Sequence, residues 1–129
     1  MQWQFRNDAP IYIQLVEQIK QRIASGVFAP GERLPAVREF ALDAGVNPNT
    51  MQRALAELER EGLVHCQRTA GRFVTEDADM IHKIREDLAQ QQLDQFFQAM
   101  AELGYRREEI VALVNRNEKE EISHGNSGM

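Results

Sequence analysis

The chain has 129 residues, of which 43% are apolar and 27% charged, and its net charge is −5. This composition is typical of a folded globular protein, and the length allows one domain or a small domain with an appendage. A single cysteine excludes an internal disulfide and fits the reducing cytoplasm, where we expect the protein. We expect no membrane association, because no signal peptide pattern opens the sequence and no apolar run approaches the roughly 20 residues of a membrane span.

The first predicted elements are an N-terminal arm and a helix. Residues 1–9 are predicted to be extended, because Trp3 and Phe5 alternate with polar residues, and to pack on the domain or on a partner subunit. From 10 to 25, apolar residues four positions apart predict an amphipathic helix. Asp8 is its predicted N-terminal cap and Gly26 its C-terminal cap.

Two further helices are joined by a very short connection. The second helix is predicted over 36–44 and ends at Gly45, and the third occupies the stretch 46–62, VNPNTMQRALAELEREG. Asn47 is a suitable N-terminal cap, and Gly62 a suitable left-handed end. Two helices joined by a three- or four-residue turn with glycine indicate a helix-turn-helix. The third helix combines an apolar stripe with amide, hydroxyl and guanidinium groups, which reach phosphates and base edges.

A β-hairpin is predicted directly after this candidate recognition helix. The segments 63–68 and 72–75 surround a small turn, Thr69-Ala70-Gly71. A hairpin in this place is expected to be the wing of a winged helix. Arg68 and Arg72 flank its tip, where they can reach phosphates or the minor groove.

The last part of the chain predicts two helices. The first runs from Met80 to about Leu103 after a cap at Asp79, and the second begins near Tyr105. Two helices with this much apolar surface cannot bury it alone, so we expect association with a second copy. The predicted dimer interface consists of Ile84, Leu88, Leu93, Phe96, Phe97, Met100, Ile110, Leu113 and Val114.

The expected fold is therefore mainly α with a small β-hairpin. A winged helix-turn-helix domain with its N-terminal arm occupies residues 1–77. A two-helix C-terminal dimerisation hairpin follows over 78–122, and a flexible tail over 123–129. The acidic residues concentrate after the wing: residues 1–77 contain nine Lys/Arg against ten Asp/Glu, and residues 78–129 six against ten.

Four stretches in this order resemble the N-terminal domain of GntR-family bacterial transcription regulators. They are Pro10-Ile11-Tyr12 with Gln14 and Ile19-Lys20, then PGERLPAVRE at 30–39, VNPNT at 46–50 and LEREGL at 58–63. The third helix begins with Asn-Pro-Asn-Thr, and the C-terminal region is short and consists of only two helices. Both features resemble the YtrA subfamily. The resemblance extends from about residue 9 to 120.

The resemblance implies a homodimeric repressor that binds a near-palindromic double-stranded DNA operator. Members of this subfamily are often encoded beside ABC-transporter genes and control them, so such an operon is an expected target. The residues expected to contact DNA are Arg38, Asn47, Asn49, Thr50, Gln52, Arg53, Arg68, Thr69, Gly71 and Arg72. Arg72 is included because of its place in the predicted hairpin, and the others follow from the resemblance.

Two positions depart from the family's pattern. Thr69 stands where the wing usually has a glycine, which puts close backbone approach to DNA in doubt there. Ala36 stands where many members have a serine after Leu-Pro and forgoes that cap, a loss of roughly 0.5–2 kcal/mol where the serine caps.

Several alternatives stay open at this point. Arg38 could pair with Glu39 or Asp43 instead of DNA, and a winged helix that docks on another protein is the alternative function, favoured by the nearly neutral charge of residues 1–77. About 50 residues after the wing are too few for a separate effector domain. A small-molecule effector would therefore bind at the dimer interface or between the two C-terminal helices and the winged helix.

No pattern predicts catalysis, a cofactor or a metal site. The sequence has no Ser/His/Asp grouping and no phosphate-cradling glycine loop. His65, His82 and His124 are scattered, and neighbouring residues of a strand, such as His65 and Cys66, point to opposite faces. Cys66 is expected to be a small core residue, with a redox role left open.

Overall fold

The computed structural model describes the backbone of residues 1–128 and the side chains of residues 1–118. The elements in chain order are α1 (Ile11–Ala24), α2 (Val37–Ala44), α3 (Pro48–Arg60), β1 (Val64–Gln67), β2 (Gly71–Val74), α4 (Ala78–Glu102) and α5 (Arg107–Gly128). This confirms the predicted mainly helical winged helix-turn-helix with two C-terminal helices. The side chains of the predicted tail, residues 123–129, lie outside the described residues. The backbone of α5 extends to Gly128.

The chain divides into two compact units, Met1–Leu88 and the residues from Ala89 onward. The predicted domain boundary at 77/78 coincides with the start of α4 at Ala78. The first unit extends further because Met80, Ile81 and Ile84 pack against its core. The first turns of α4 therefore belong to the first unit.

The core of the first unit is built from one apolar stripe on each helix. Leu15 and Ile19 of α1, and Met51 and Leu55 of α3, have no exposed surface. Burying a side chain of this size stabilises the fold by about 1.5–3 kcal/mol. Phe40 of α2 joins the same cluster, as do Val64 and Val74, which face each other across the antiparallel pair β1–β2. The cluster holds α3 by its apolar face and leaves the opposite face in solvent.

The N-terminal arm lies against α1 and α2, one of the two packings expected from the sequence. Gln14 of α1 is 2% exposed, and its amide accepts a hydrogen bond from the Arg6 backbone N–H at 2.7 Å and donates to the carbonyls of Arg6 and Ala9 at 2.9 and 2.8 Å. A glutamine side chain thus pairs with the arm as a neighbouring strand would. Asp8 does not cap α1, since the cap position is Pro10 and Asp8 pairs with Arg6.

Trp3 fastens the arm to the end of α2. Its ring lies edge-on to Phe40 and under the Arg22 guanidinium, 3.7 Å from the ring centroid. Its indole N–H donates to the Asp43 carboxylate at 2.8 Å, and the N-terminal ammonium lies 3.5 Å from the same carboxylate. The indole hydrogen bond, followed by the ammonium charge, lowers the pKa of Asp43. The arm is therefore part of the domain.

The second unit keeps most of its apolar side chains at least partly accessible. No residue of α4 is buried, although the helix has 25 residues. Leu93 is 50% exposed and Phe96 42%, whereas Ile110 of α5 is 2% exposed. Among the described residues, no helix combines the length and the apolar character needed to cross a membrane.

Candidate nucleic-acid interface

Helix α3 has one buried and one exposed face along its length. Its buried residues are Met51, Ala54, Leu55 and Leu58. Asn49, Gln52 and Arg53 of the first two turns are exposed, and Thr50 between them is half-buried. Amide and guanidinium groups on an exposed helix face can make bidentate hydrogen bonds with adenine and guanine edges. The predicted recognition surface is thus accessible at the N-terminal end of α3.

The start of α3 is set by two residues of the turn. Gly45 adopts a left-handed conformation with φ of +71°, which ends α2 and redirects the chain. The Asn47 side-chain oxygen then accepts the Asn49 backbone N–H at 2.8 Å, as predicted for the cap. The Asn47 amide nitrogen is not used in this cap, so the side chain keeps hydrogen-bond donors.

Arg53 is stacked on Tyr12 of α1. The guanidinium carbon lies 3.7 Å from the centroid of the tyrosine ring. A stacked guanidinium is held by its face, while its five N–H donors point outward in the plane. Arg53 can therefore keep this contact and donate to a base edge at the same time. No pattern in the sequence indicates this contact of Tyr12, which follows only from the packing of α1 against α3.

Arg38 is exposed in the first turn of α2. The alternative pairing with Asp43 is not present, because that carboxylate contacts Trp3 and the N-terminal ammonium. Within the side chains that the structure describes, Arg38 has no ion-pair partner. Ala36 precedes it as the cap residue of α2 without a side-chain hydrogen bond, as the sequence indicated. The guanidinium is accordingly available to a ligand.

The wing is a tight hairpin whose turn exposes Arg68 and Thr69. The Ala70 N–H donates to the Gln67 carbonyl at 3.0 Å and closes the turn. Gly71 has a φ of +107°, whereas no described residue other than glycine has a positive φ. Thr69 therefore replaces the usual glycine without left-handed backbone strain, and only its side chain changes the surface of the tip.

Arg72 is engaged inside the domain. Its guanidinium pairs with the Glu59 carboxylate of α3, and the two side chains are 19% and 29% exposed. This contact ties β2 to the recognition helix. Arg72 therefore differs from Arg68, for which the described side chains offer no ion pair.

The residues predicted for the dimer interface fall into different environments. Ile84 is half-buried and packs against the core of the first unit, and Ile110 is only 2% exposed. Leu93, Phe96 and Val114 are exposed. The remaining four, which are half-buried, are Leu88, Phe97, Met100 and Leu113. Three further apolar side chains, which were not predicted to lie in the dimer interface, are also exposed: Leu103, Tyr105 and Val111.

Cys66 and His65 form no recognisable site. Cys66 is exposed on β1, so its prediction as a core residue was wrong. The reason is the position of the hairpin, which buries only Val64 of this strand. Within the described residues, no group of three or more His, Cys, Asp or Glu side chains is arranged to hold a metal ion.

A helix-turn-helix whose second helix presents an exposed polar face, followed by a wing, defines a winged helix-turn-helix DNA-binding domain. The family model described as "Bacterial regulatory proteins, gntR family" matches residues 11–74. The transcriptional regulator YhcF of Bacillus subtilis is 40% identical over 108 residues, which are 84% of this chain and 89% of YhcF. The chain therefore belongs to the GntR family of bacterial transcriptional regulators.

Other comparisons agree with this assignment. The transcriptional repressor YtrA of Bacillus subtilis is 42% identical over 73 residues, or 57% of this chain and 56% of YtrA. A GntR-family regulator from Listeria monocytogenes has a similar structure, with a TM-score of 0.78 and 38% identity over 87% of this chain and 98% of that one. The DNA-binding domain of AraR, in complex with operator ORX1, has a TM-score of 0.51 and 28% identity over 58% of this chain and 92% of its own.

The comparisons confirm the family and the DNA-binding class expected from the sequence. The relatives are transcriptional regulators rather than enzymes. The individual DNA-contacting residues stay predictions, now with their environments defined.

Proposed function

We propose that this chain is a homodimeric repressor that recognises a near-palindromic operator. The observation that carries the proposal is the capped N-terminal end of α3, where Asn49, Gln52 and Arg53 are exposed while the opposite face is fixed in the core. AraR, which shares the fold, was crystallised on operator DNA. YtrA and NagR, which share sequence, are named repressors.

Each subunit is proposed to place the start of α3 in a major groove. Asn49 and Gln52 pair with adenine edges, and Arg53 pairs with a guanine edge. Thr50 and Arg38 contact phosphates, and the wing contacts the adjacent backbone or minor groove. Two subunits then read half-sites that are about one helical turn, ~34 Å, or a multiple of it apart. Occupation of a promoter by the dimer would repress it.

The resemblance to YtrA-type regulators adds an ABC-transporter operon as the expected target. A small-molecule effector belongs to the same proposal. The first unit has a half-open groove of about 390 Å³ beside the β-hairpin, lined in part by His65, Gln67, Phe73 and Glu76. Its lining is mainly polar, whereas small-molecule sites are lined mostly by apolar side chains, so we do not assign the effector to it.

The proposal is tested by fluorescence anisotropy with a duplex from the region upstream of the gene that encodes this chain. A scrambled duplex of the same composition measures non-specific binding. We expect Arg53→Ala to reduce the preference for the upstream duplex by about 1–3 kcal/mol, roughly 5- to 150-fold, for each half-site contacted.

Arg60→Ala is the matched control. Arg60 is an exposed arginine of the same helix, paired with Glu57 at the other end of α3. Its loss removes the same charge but no proposed base contact, so the preference for the upstream duplex should persist. Equal affinity of the wild-type protein for both duplexes, or equal loss in both variants, would contradict the proposal.

A further inference from the structure

The segment before α2 runs beside β2 and forms backbone hydrogen bonds with it. The Gly31 N–H donates to the Val74 carbonyl at 3.0 Å, the Val74 N–H to the Glu32 carbonyl at 2.9 Å, and the Leu34 N–H to the Arg72 carbonyl at 2.9 Å. Arg33 thereby lies opposite Phe73. The register fixes the position of Arg33 next to the wing, although 34 residues of sequence separate it from the turn at Arg68–Ala70.

Arg33 and Arg72 point to opposite faces of this small sheet. Directly opposed residues of an antiparallel pair share a face, and consecutive residues alternate. Arg33 therefore shares the face of Phe73, while Arg72, the residue before it, points the other way. The two arginines are close in the sheet but have different surroundings.

The Arg33 guanidinium lies over the first residue of β2. A Cβ atom placed on Gly71 would be 3.1 Å from the Arg33 Nε atom and 3.7 Å from its Cζ atom. Gly71 follows the exposed wing turn directly. Because Gly71 has no side chain, the Arg33 guanidinium can lie against the backbone next to the wing turn.

The charges of the two arginines are balanced differently. Arg72 pairs with Glu59, so it adds little net positive charge to the wing, and using it on DNA would leave Glu59 unpaired near a polyanion. Arg33 is exposed and has no carboxylate partner among the described side chains. The wing thus presents Arg33 and Arg68 as its uncompensated cations.

We propose that Arg33, and not Arg72, supplies the phosphate contact at the base of the wing, while Arg72 fixes the hairpin to α3. The inference rests on the proposed DNA-binding function and changes the assignment of the wing contacts. It also explains how a domain with nearly balanced charge presents a positive edge to DNA. The positive charge of Arg33 comes from the segment before α2 rather than from the hairpin itself.

The test is the salt dependence of DNA binding by Arg33→Gln and Arg72→Gln. Each phosphate contact contributes about 0.9 to the slope of log K against log salt concentration. We expect Arg33→Gln to reduce the magnitude of this slope by about 0.9 for each subunit bound. The midpoint of thermal unfolding should not change. Arg33→Lys, which keeps the charge, should retain the slope. Arg72→Gln should lower the thermal midpoint and leave the slope unchanged.

An unchanged slope in Arg33→Gln, or a loss of slope in Arg72→Gln with wild-type unfolding, would overturn the inference. Titrations on the upstream and scrambled duplexes separate this from failure of the proposed function. A wild-type protein without preference for the upstream duplex would contradict the proposed operator recognition. The slope on either duplex would still report whether Arg33 contacts phosphate.

Discussion

At the scale of single residues, the contact between Arg53 and Tyr12 is expected to hold Arg53 in place for DNA binding. An exposed arginine loses side-chain entropy when it binds a base, and this lowers affinity. Stacking at 3.7 Å on a ring of α1 restricts Arg53 before DNA arrives. We therefore propose that Tyr12 is a positioning residue, which acts on DNA through Arg53.

We expect Tyr12→Leu to weaken operator binding and Tyr12→Phe to preserve it. An exposed cation–π contact is worth about 0.5–1 kcal/mol, so the loss should be roughly two- to fivefold. The measurement is the ratio of affinities for the upstream and scrambled duplexes. In an Arg53→Ala background, Tyr12→Leu should have no further effect on this ratio. Equal effects of Leu in both backgrounds would mean that Tyr12 acts independently of Arg53.

At the scale of the elements, Asn47 has an observed function as a cap and a predicted function in DNA binding, and the two can be separated. It caps α3 through its side-chain oxygen, and its amide nitrogen is predicted to face DNA. An aspartate keeps the oxygen that caps but replaces the donor with negative charge. An alanine removes both groups.

We expect Asn47→Ala to lower the free energy of unfolding by about 0.5–2 kcal/mol, as measured by urea denaturation. Asn47→Asp should retain the stability and yet bind DNA more weakly, because a carboxylate at this position repels phosphates. An Asn47→Asp protein with wild-type affinity for the upstream duplex would show that Asn47 is a cap only.

The local elements could be predicted from the sequence because their signals are local. The apolar spacing of α3, the cap at Asn47 and the glycine at 62 all lie within one stretch, and the structure has the helix there. The Asp8 cap was wrong because Pro10 occupies the cap position and Asp8 pairs with Arg6. Whether Asp8 caps α1 or pairs with Arg6 depends on the path of the arm, which the periodicity of the sequence does not determine.

The helices and the hairpin that form the candidate site could be predicted from the sequence. The side-chain contacts between them could not. The pairs Arg72–Glu59, Arg53–Tyr12 and Arg33–Gly71 each join segments that are distant in sequence. Arg33 belongs to the PGERLPAVRE stretch, where it has the appearance of a charged turn residue. Its pairing with β2 is a property of the tertiary fold.

At the scale of the whole molecule, the second unit is expected to join two subunits. In α4 no residue is buried, and large apolar side chains remain in solvent, among them Phe96 at 42% exposed and Leu103 at 73%. Apolar surface of this kind on a helix is costly unless a partner covers it. A second copy is the proposed partner because the proposed near-palindromic operator would require two reading helices related by a twofold axis.

We expect Phe96→Glu to convert a dimer into a monomer in sedimentation equilibrium, since a carboxylate cannot be buried in an apolar interface without a large cost. Gln98→Glu is the matched control, because it adds the same charge at an exposed polar position of α4. A linked pair of reading helices binds two half-sites with an effective concentration that separate subunits lack, worth about 10²- to 10⁴-fold. Phe96→Glu should therefore bind the full upstream duplex only about as tightly as a single half-site. A Phe96→Glu protein that remains dimeric would place the contact between subunits elsewhere. A wild-type chain that is monomeric at the concentration at which it binds the operator would contradict the proposed dimer.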